Sequence, residues 1–232
     1  MIIDTSFDFR SDAGGRDPDL FSPTLRRYHQ LLWSRPLPGG AVFQLDTATP
    51  STYLHHSSGI GKFWLSSDSV IPTFDGWRAM EPIISELQPG EVDTFKMAGY
   101  TMGGMMIFPG NRVDGKQTIN GARGFLRRIA DRMDLTLECV RRHYLGRASP
   151  LAETLSRYRD FFSLFVDFPG YTEFFLLQDL LTDDLSAVDF FLPFTNFQLP
   201  AVPLDVSSYR RYRNSSMRSI ERRNRRISTL TA

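Results

Sequence analysis

The chain has 232 residues, 41% of them apolar and 23% charged, including 19 phenylalanines. That is enough length for one substantial core, and the composition excludes a disordered chain. A lone cysteine, Cys139, excludes an intramolecular disulfide and a cysteine-rich zinc site, so a reducing, cytoplasmic setting is expected. The net charge of +1 hides an uneven spread: between Arg210 and Arg226 eight arginines stand against one glutamate, which gives that segment +7 and leaves −6 to the rest.

Residues 1–20 mix Asp, Gly, Arg and Ser without periodicity and read as an irregular arm with no basic start or apolar middle of a signal peptide. Ser22-Pro23 opens a helix, a hydroxyl cap followed by proline at the first helical position. Leu25, Tyr28 and Leu32 line its apolar side, and Pro36, Pro38 and Gly39-Gly40 end it. From 41 to 108 short β-rich runs predict strands over 41–46, 53–57, 62–66, 92–98 and 104–108. Between them, residues 75–90 hold only a turn or two of helix.

After Pro109 the period becomes helical. Ile119, Ala122, Leu126, Ile129 and Met133 predict one helix from Thr118, and Asp134 caps a second that ends at Gly146 behind Arg141, Arg142 and His143. Ser149-Pro150 starts a third, and Pro169-Gly170 separates it from a fourth over 171–181. That most apolar region is interrupted by Asp167, Asp179 and Glu173, so no membrane span or membrane partner is expected. Residues 190–203 read as a loop. Tyr209, Tyr212, Ser216, Ile220 and Ile227 then fall on one face of a basic helix, most arginines lying elsewhere around it.

The expected class is α+β: a small, mainly antiparallel sheet in the N-terminal half covered by a C-terminal helical half. One domain spans 21–206, with the basic helix of 207–232 packed on it.

Several runs carry a resemblance: Leu25–Gly40 (LRRYHQLLWSRPLPGG), Phe63–Ser69 (FWLSSDS), Gly103–Gly110 (GGMMIFPG), Asp134–Cys139 (DLTLEC) and Tyr158–Phe162 (YRDFF). Together they resemble a family of bacterial proteins of unknown function over residues 20–200. The resemblance implies a bacterial origin and no activity.

The sharpest chemical motif runs from Gly110 to Gln117, matching the glycine-x4-glycine-lysine frame of a phosphate-binding loop. Gln117 stands where a magnesium-binding hydroxyl is required, and Asp114 puts a negative charge where amides should meet phosphate. A tight turn at Asp114-Gly115 is therefore expected. A weaker anion site survives, built from Arg112, Lys116, Thr118 and Arg123 at the start of the following helix.

His55 and His56 alternate across a strand and cannot jointly chelate one metal, so neither a metal nor another cofactor is expected. Ser66-Ser67-Asp68-Ser69 looks like a polar strand end of the kind found at active sites. With Tyr53–His56 ahead of it, the arrangement is similar to ADP-ribosyltransferase folds, which implies an NAD-utilising alternative with His55, Asp68 and Arg123 as catalytic candidates. The basic helix offers Arg210, Arg211, Arg213, Arg222 and Arg223 to nucleic acid.

Three functional expectations follow. One is a regulatory or defence-like protein binding a phosphate-bearing ligand, nucleotide, RNA or DNA. Another is a nucleotide- or NAD-utilising enzyme. The third is an interaction subunit, such as a homo-oligomer, docking through its basic helix.

Overall fold

The computed structural model describes residues 2–46 and 53–231; Met1, the first residue of the arm, and Ala232, the last of the tail, lie outside the described residues. The N-terminal arm is tied down by Ile3, Phe9 and Ala13, all buried. Its helix α1 (Pro18–Phe21) starts where Asp17 accepts from the Asp19 amide at 3.1 Å. Helix α2 (Pro23–Trp33) is capped by Ser22, whose hydroxyl accepts from the Leu25 amide, and buries Leu25, Tyr28, His29, Leu32 and Trp33. His29 and Trp33 sit four residues apart and share a face.

A short hairpin follows, β1 (Arg35–Pro36) antiparallel to β2 (Val42–Phe43). The main sheet has three antiparallel strands in the order β3 (Leu54–Ser58), β4 (Gly61–Ser69) and β5 (Met105–Pro109). Its register pairs His55 with Trp64 and Asp68 with Met106. The α+β class with a small antiparallel sheet is what the strand-rich N-terminal half predicted.

One predicted strand is a helix. Residues 92–98 lie in α4 (Glu91–Gly99), after the short α3 (Glu81–Ile84). The acidic Glu91 and Asp93 suit a first turn, and Phe95 is buried.

The helical half is more broken than its periodicity suggests. Helix α5 (Ile119–Phe125) stops at Leu126, and Ala130 and Asp131 adopt positive φ of 51° and 60° before α6 (Met133–Tyr144) begins. The reversal brings Asp131 back to donate its amide to the Arg123 carbonyl at 3.0 Å. The third expected helix is two, α7 (Ala152–Ser156) and α8 (Arg159–Ser163), and the fourth is α9 (Phe168–Phe174).

Phenylalanine dominates the packing between these pieces: Phe161, Phe165, Phe174 and Phe175 contact one another, Tyr171 and Trp33 at ring distances of 4.9–6.3 Å. Large rings fill the volume where short helices cannot supply long ridges. Helix α10 (Val206–Thr231) spans 26 residues, about 39 Å. It buries Tyr209, Tyr212, Ser216, Ile220, Arg223 and Ile227.

Candidate functional site

The residues of the expected anion site do not converge. Asp114 and Gly115 form the tight turn, with φ of 52° and 69°, and Lys116 reaches Glu153 at 2.8 Å. The Thr118 hydroxyl caps α5 by accepting from the Gly121 amide at 3.2 Å, and Arg112 is exposed.

Arg123 is wholly buried. It donates to Asp68, to the Thr136 hydroxyl at 3.1 Å and to the carbonyls of Val70 and Asp131 at 3.1 and 2.6 Å, with the Asp131 carboxylate at 3.2 Å. A guanidinium so fully engaged has no donor left for a ligand.

The enzyme reading required His55 beside Asp68. The register pairs His55 with Trp64, four residues before Asp68 on β4, a separation of about 13 Å along the strand. His55 packs edge-on against Trp64 instead. His56 is buried, stacked on Phe43 at 4.7 Å and hydrogen-bonded to the Gln44 carbonyl and the Ser58 hydroxyl at 2.8 Å each. Among the described residues no cluster of three or more His, Cys, Asp or Glu could hold a metal.

The arginines of α10 divide by face. Arg210 and Arg213 both pair with Glu91. Arg223, buried, donates to the carbonyls of Gly103, Met105 and Phe175 at 2.7–3.0 Å and so covers the outer edge of β5. Arg211 and Arg222 are exposed.

What the fold does assemble lies at the end of β4. A cleft of about 680 Å³ is lined there by Asp17 and Asp19 of the α1 turn, Asp68 and Ser69 of the strand, Asp131, and the segment 71–77. Lys96 and Tyr100 close one side, and Lys96 is paired with Asp75. Two tyrosines of α10 brace the wall: Tyr209 and Tyr212 donate to the carbonyls of Thr73 and Pro72, each at 2.9 Å.

Asp19 closes a directed chain of hydrogen bonds. The Trp33 indole N–H donates to His29 Nδ1 at 3.0 Å. An indole nitrogen is only a donor, so His29 Nδ1 accepts and Nε2 carries the proton. His29 Nε2 therefore donates to Ser67 Oγ at 2.9 Å, and Ser67 donates to Asp19 Oδ1 at 2.7 Å.

This tautomer prevents His29 from removing the serine proton, which excludes a Ser–His nucleophile here. Burial, assisted by the charge of Arg223, holds the His29 pKa down at about 3, so the ring is neutral.

The carboxyls shift the other way. Burial pushes Asp19 up to about 6 against the Ser67 hydrogen bond. Burial also raises Asp68 and Asp131, although Arg123 opposes it in both. Several carboxyls around one guanidinium cannot all ionise at the usual pH, so the cluster keeps proton-donating capacity near neutrality.

Asp68 and Arg123 are the sequence candidates that this site retains. His29, Ser67, Asp19 and Asp131 were missed. Their signals were faint: a His and a Trp four apart on an amphipathic helix, a polar strand end, and an Asp-Pro-Asp helix start.

The fold and cleft together define an α+β protein with a buried carboxylate–guanidinium network at a strand end. The chain belongs to DUF6994, a family of unknown function, whose model matches residues 3–227. No curated protein and no solved structure matches it. Among the described residues no helix is long and apolar enough to cross a membrane.

Proposed function

We propose that this protein is an enzyme and that the β4 cleft is its acid–base centre, acting on a substrate uncharged or cationic at the reacting group. The observation carrying the reading is the Asp19 carboxyl, oriented through Ser67 by a neutral His29 and pushed by burial to a pKa of about 6 at the cleft wall. A group with a pKa close to the working pH is an efficient proton donor and acceptor.

Opposite it, Asp68 is held by Arg123. Two carboxyls in unlike environments are the equipment of general acid and base, as in glycosidic bond cleavage, where negative charge also stabilises the developing cation.

The substrate class follows from charge. Five aspartates line the cleft, with Lys96 already paired. A phosphate at this point would meet like charge, so a nucleotide or NAD would have to react through its sugar with its phosphates outside.

Turnover of a panel of aryl glycosides, nucleosides and NAD tests the proposal. The wild type should cleave at least one glycosyl substrate, with a pH–rate limb near 6. Asp19→Asn should lower kcat by at least about a hundredfold and remove that limb. No turnover by the wild type, or an unaltered profile in the variant, would end the reading.

A further inference from the structure

The exposed side of α10 faces a second hollow, chemically opposite to the first. A groove of about 930 Å³ runs between the C-terminal half of α10, the β1 turn and α9, and four arginines face it: Arg35, Arg222, Arg225 and Arg226. Only two carboxylates line it, Glu173 and Asp179, and Asp179 is matched to Arg226 at 3.0 Å. Among the described residues Arg222 and Arg225 have no carboxylate within ion-pair distance.

Among the described residues two guanidinium groups at this wall, Arg35 and Arg223, have no carboxylate within ion-pair distance. Arg35 donates to the Glu173 carbonyl at 3.1 Å and lies over the rings of Phe174 and Trp33 at 4.8 and 5.6 Å. Arg223 lies over Trp33 as well, at 5.7 Å, and all its oxygen partners are carbonyls. Arg35 is partly and Arg223 fully desolvated, Arg223 Nε is buried without a hydrogen-bond partner, and burial lowers the pKa of both to about 10.

With Arg35, Arg222, Arg225 and Arg226 at the groove and Arg223 behind it against only Glu173 and Asp179, cations outnumber carboxylates, which leaves positive potential in the hollow that favours an anion. At the other end of the same helix the charges are matched, Arg210 and Arg213 both pairing with Glu91.

We propose that this groove binds a small ligand bearing a phosphate or pyrophosphate group, gripped by Arg35, Arg222 and Arg225. Planar guanidinium forks match phosphate oxygens in pairs, and several arginines converging on one hollow suit more than one negative charge. The groove takes over the phosphate-bearing ligand that sequence reasoning placed at residues 110–123. It lies apart from the acidic cleft, and the two sites share no lining residue.

Calorimetric titration of the full chain with inorganic pyrophosphate, orthophosphate and ADP tests this. Pyrophosphate should bind saturably, more tightly than orthophosphate and less tightly as salt rises. Arg222→Glu and Arg225→Glu, at exposed positions that leave folding intact, should each weaken it at least about tenfold. Arg112→Glu and Asp19→Asn should leave it unchanged. ADP binding more tightly than pyrophosphate would identify a nucleotide as the source of the phosphate, and equal affinity would identify the free anion. The proposal falls if pyrophosphate does not bind, if Arg112→Glu alone abolishes binding, or if single-stranded RNA binds and pyrophosphate fails to displace it.

Discussion

Arg123 shows what one residue does here. It ties the end of β4 to α5 and to the turn before α6, with carboxylates on two sides and carbonyls on the others. Its removal leaves Asp68 and Asp131 buried without their cation. Breaking a buried pair from one side typically costs about 3–5 kcal/mol, so Arg123→Met should lower the unfolding free energy measured by urea titration by that order. A change below about 1 kcal/mol would mean that the network is relaxed by water.

Arg123 was legible as a cation near a helix start, and its burial was not. Exposure and burial of an arginine have the same sequence signature until the partners' positions are known. Nothing local to Arg123 announces that Asp68, 55 residues earlier, will face it.

Among the elements, α10 joins the parts. Its apolar side is in the core, and it passes close against Gly103, whose amide donates to Asn224 Oδ1 at 2.6 Å. A Cβ there would stand 2.4 Å from the Ile220 carbonyl oxygen. Only glycine lets the helix lie against that turn.

Ending the chain at residue 206 would remove the buried Tyr209, Tyr212, Ile220 and Ile227 and uncover their counterparts on the body. The truncated protein should lose its cooperative thermal transition in circular dichroism. If it melted sharply at an unchanged temperature, α10 would be an accessory tail.

The face of α10 was readable from the spacing of its tyrosines and isoleucines. The helix at 91–99 was not: Val92, Thr94 and Phe95 have strand propensity, and packing of Phe95 beneath α10, against Tyr212 at 5.9 Å, outweighs it.

At the scale of the whole molecule, the cleft makes stability depend on pH. Asp19, raised from 3.8 to about 6, binds its proton more tightly folded than unfolded, so its contribution is complete below 3.8 and is lost as pH rises through 6. His29 acts in the opposite sense: lowered from 6.5 to about 3, it costs stability as pH falls from 6.5 towards 3.

Asp19→Asn keeps an acceptor for Ser67 and abolishes the first effect. The variant should be more stable than the wild type at pH 8, by about 2 kcal/mol. The gain should shrink towards pH 4, leaving the variant the steeper acid loss. Equal melting temperatures across that range would show that Asp19 titrates normally.

Periodicity, caps and turn residues by themselves determined the α+β class, the tight turn at Asp114-Gly115 and the apolar stripe of the basic helix, because each depends on neighbours within a few residues. The tertiary structure alone decided which charges meet. It buried Arg123 and Arg223, paired Lys116 with Glu153, drew His29, Ser67 and Asp19 into one chain, and gathered Arg35 with the end of α10. Electrostatic partners are chosen by proximity in space, and residues as far apart as Arg35 and Arg226, 191 positions in sequence, acquire it only when the core closes.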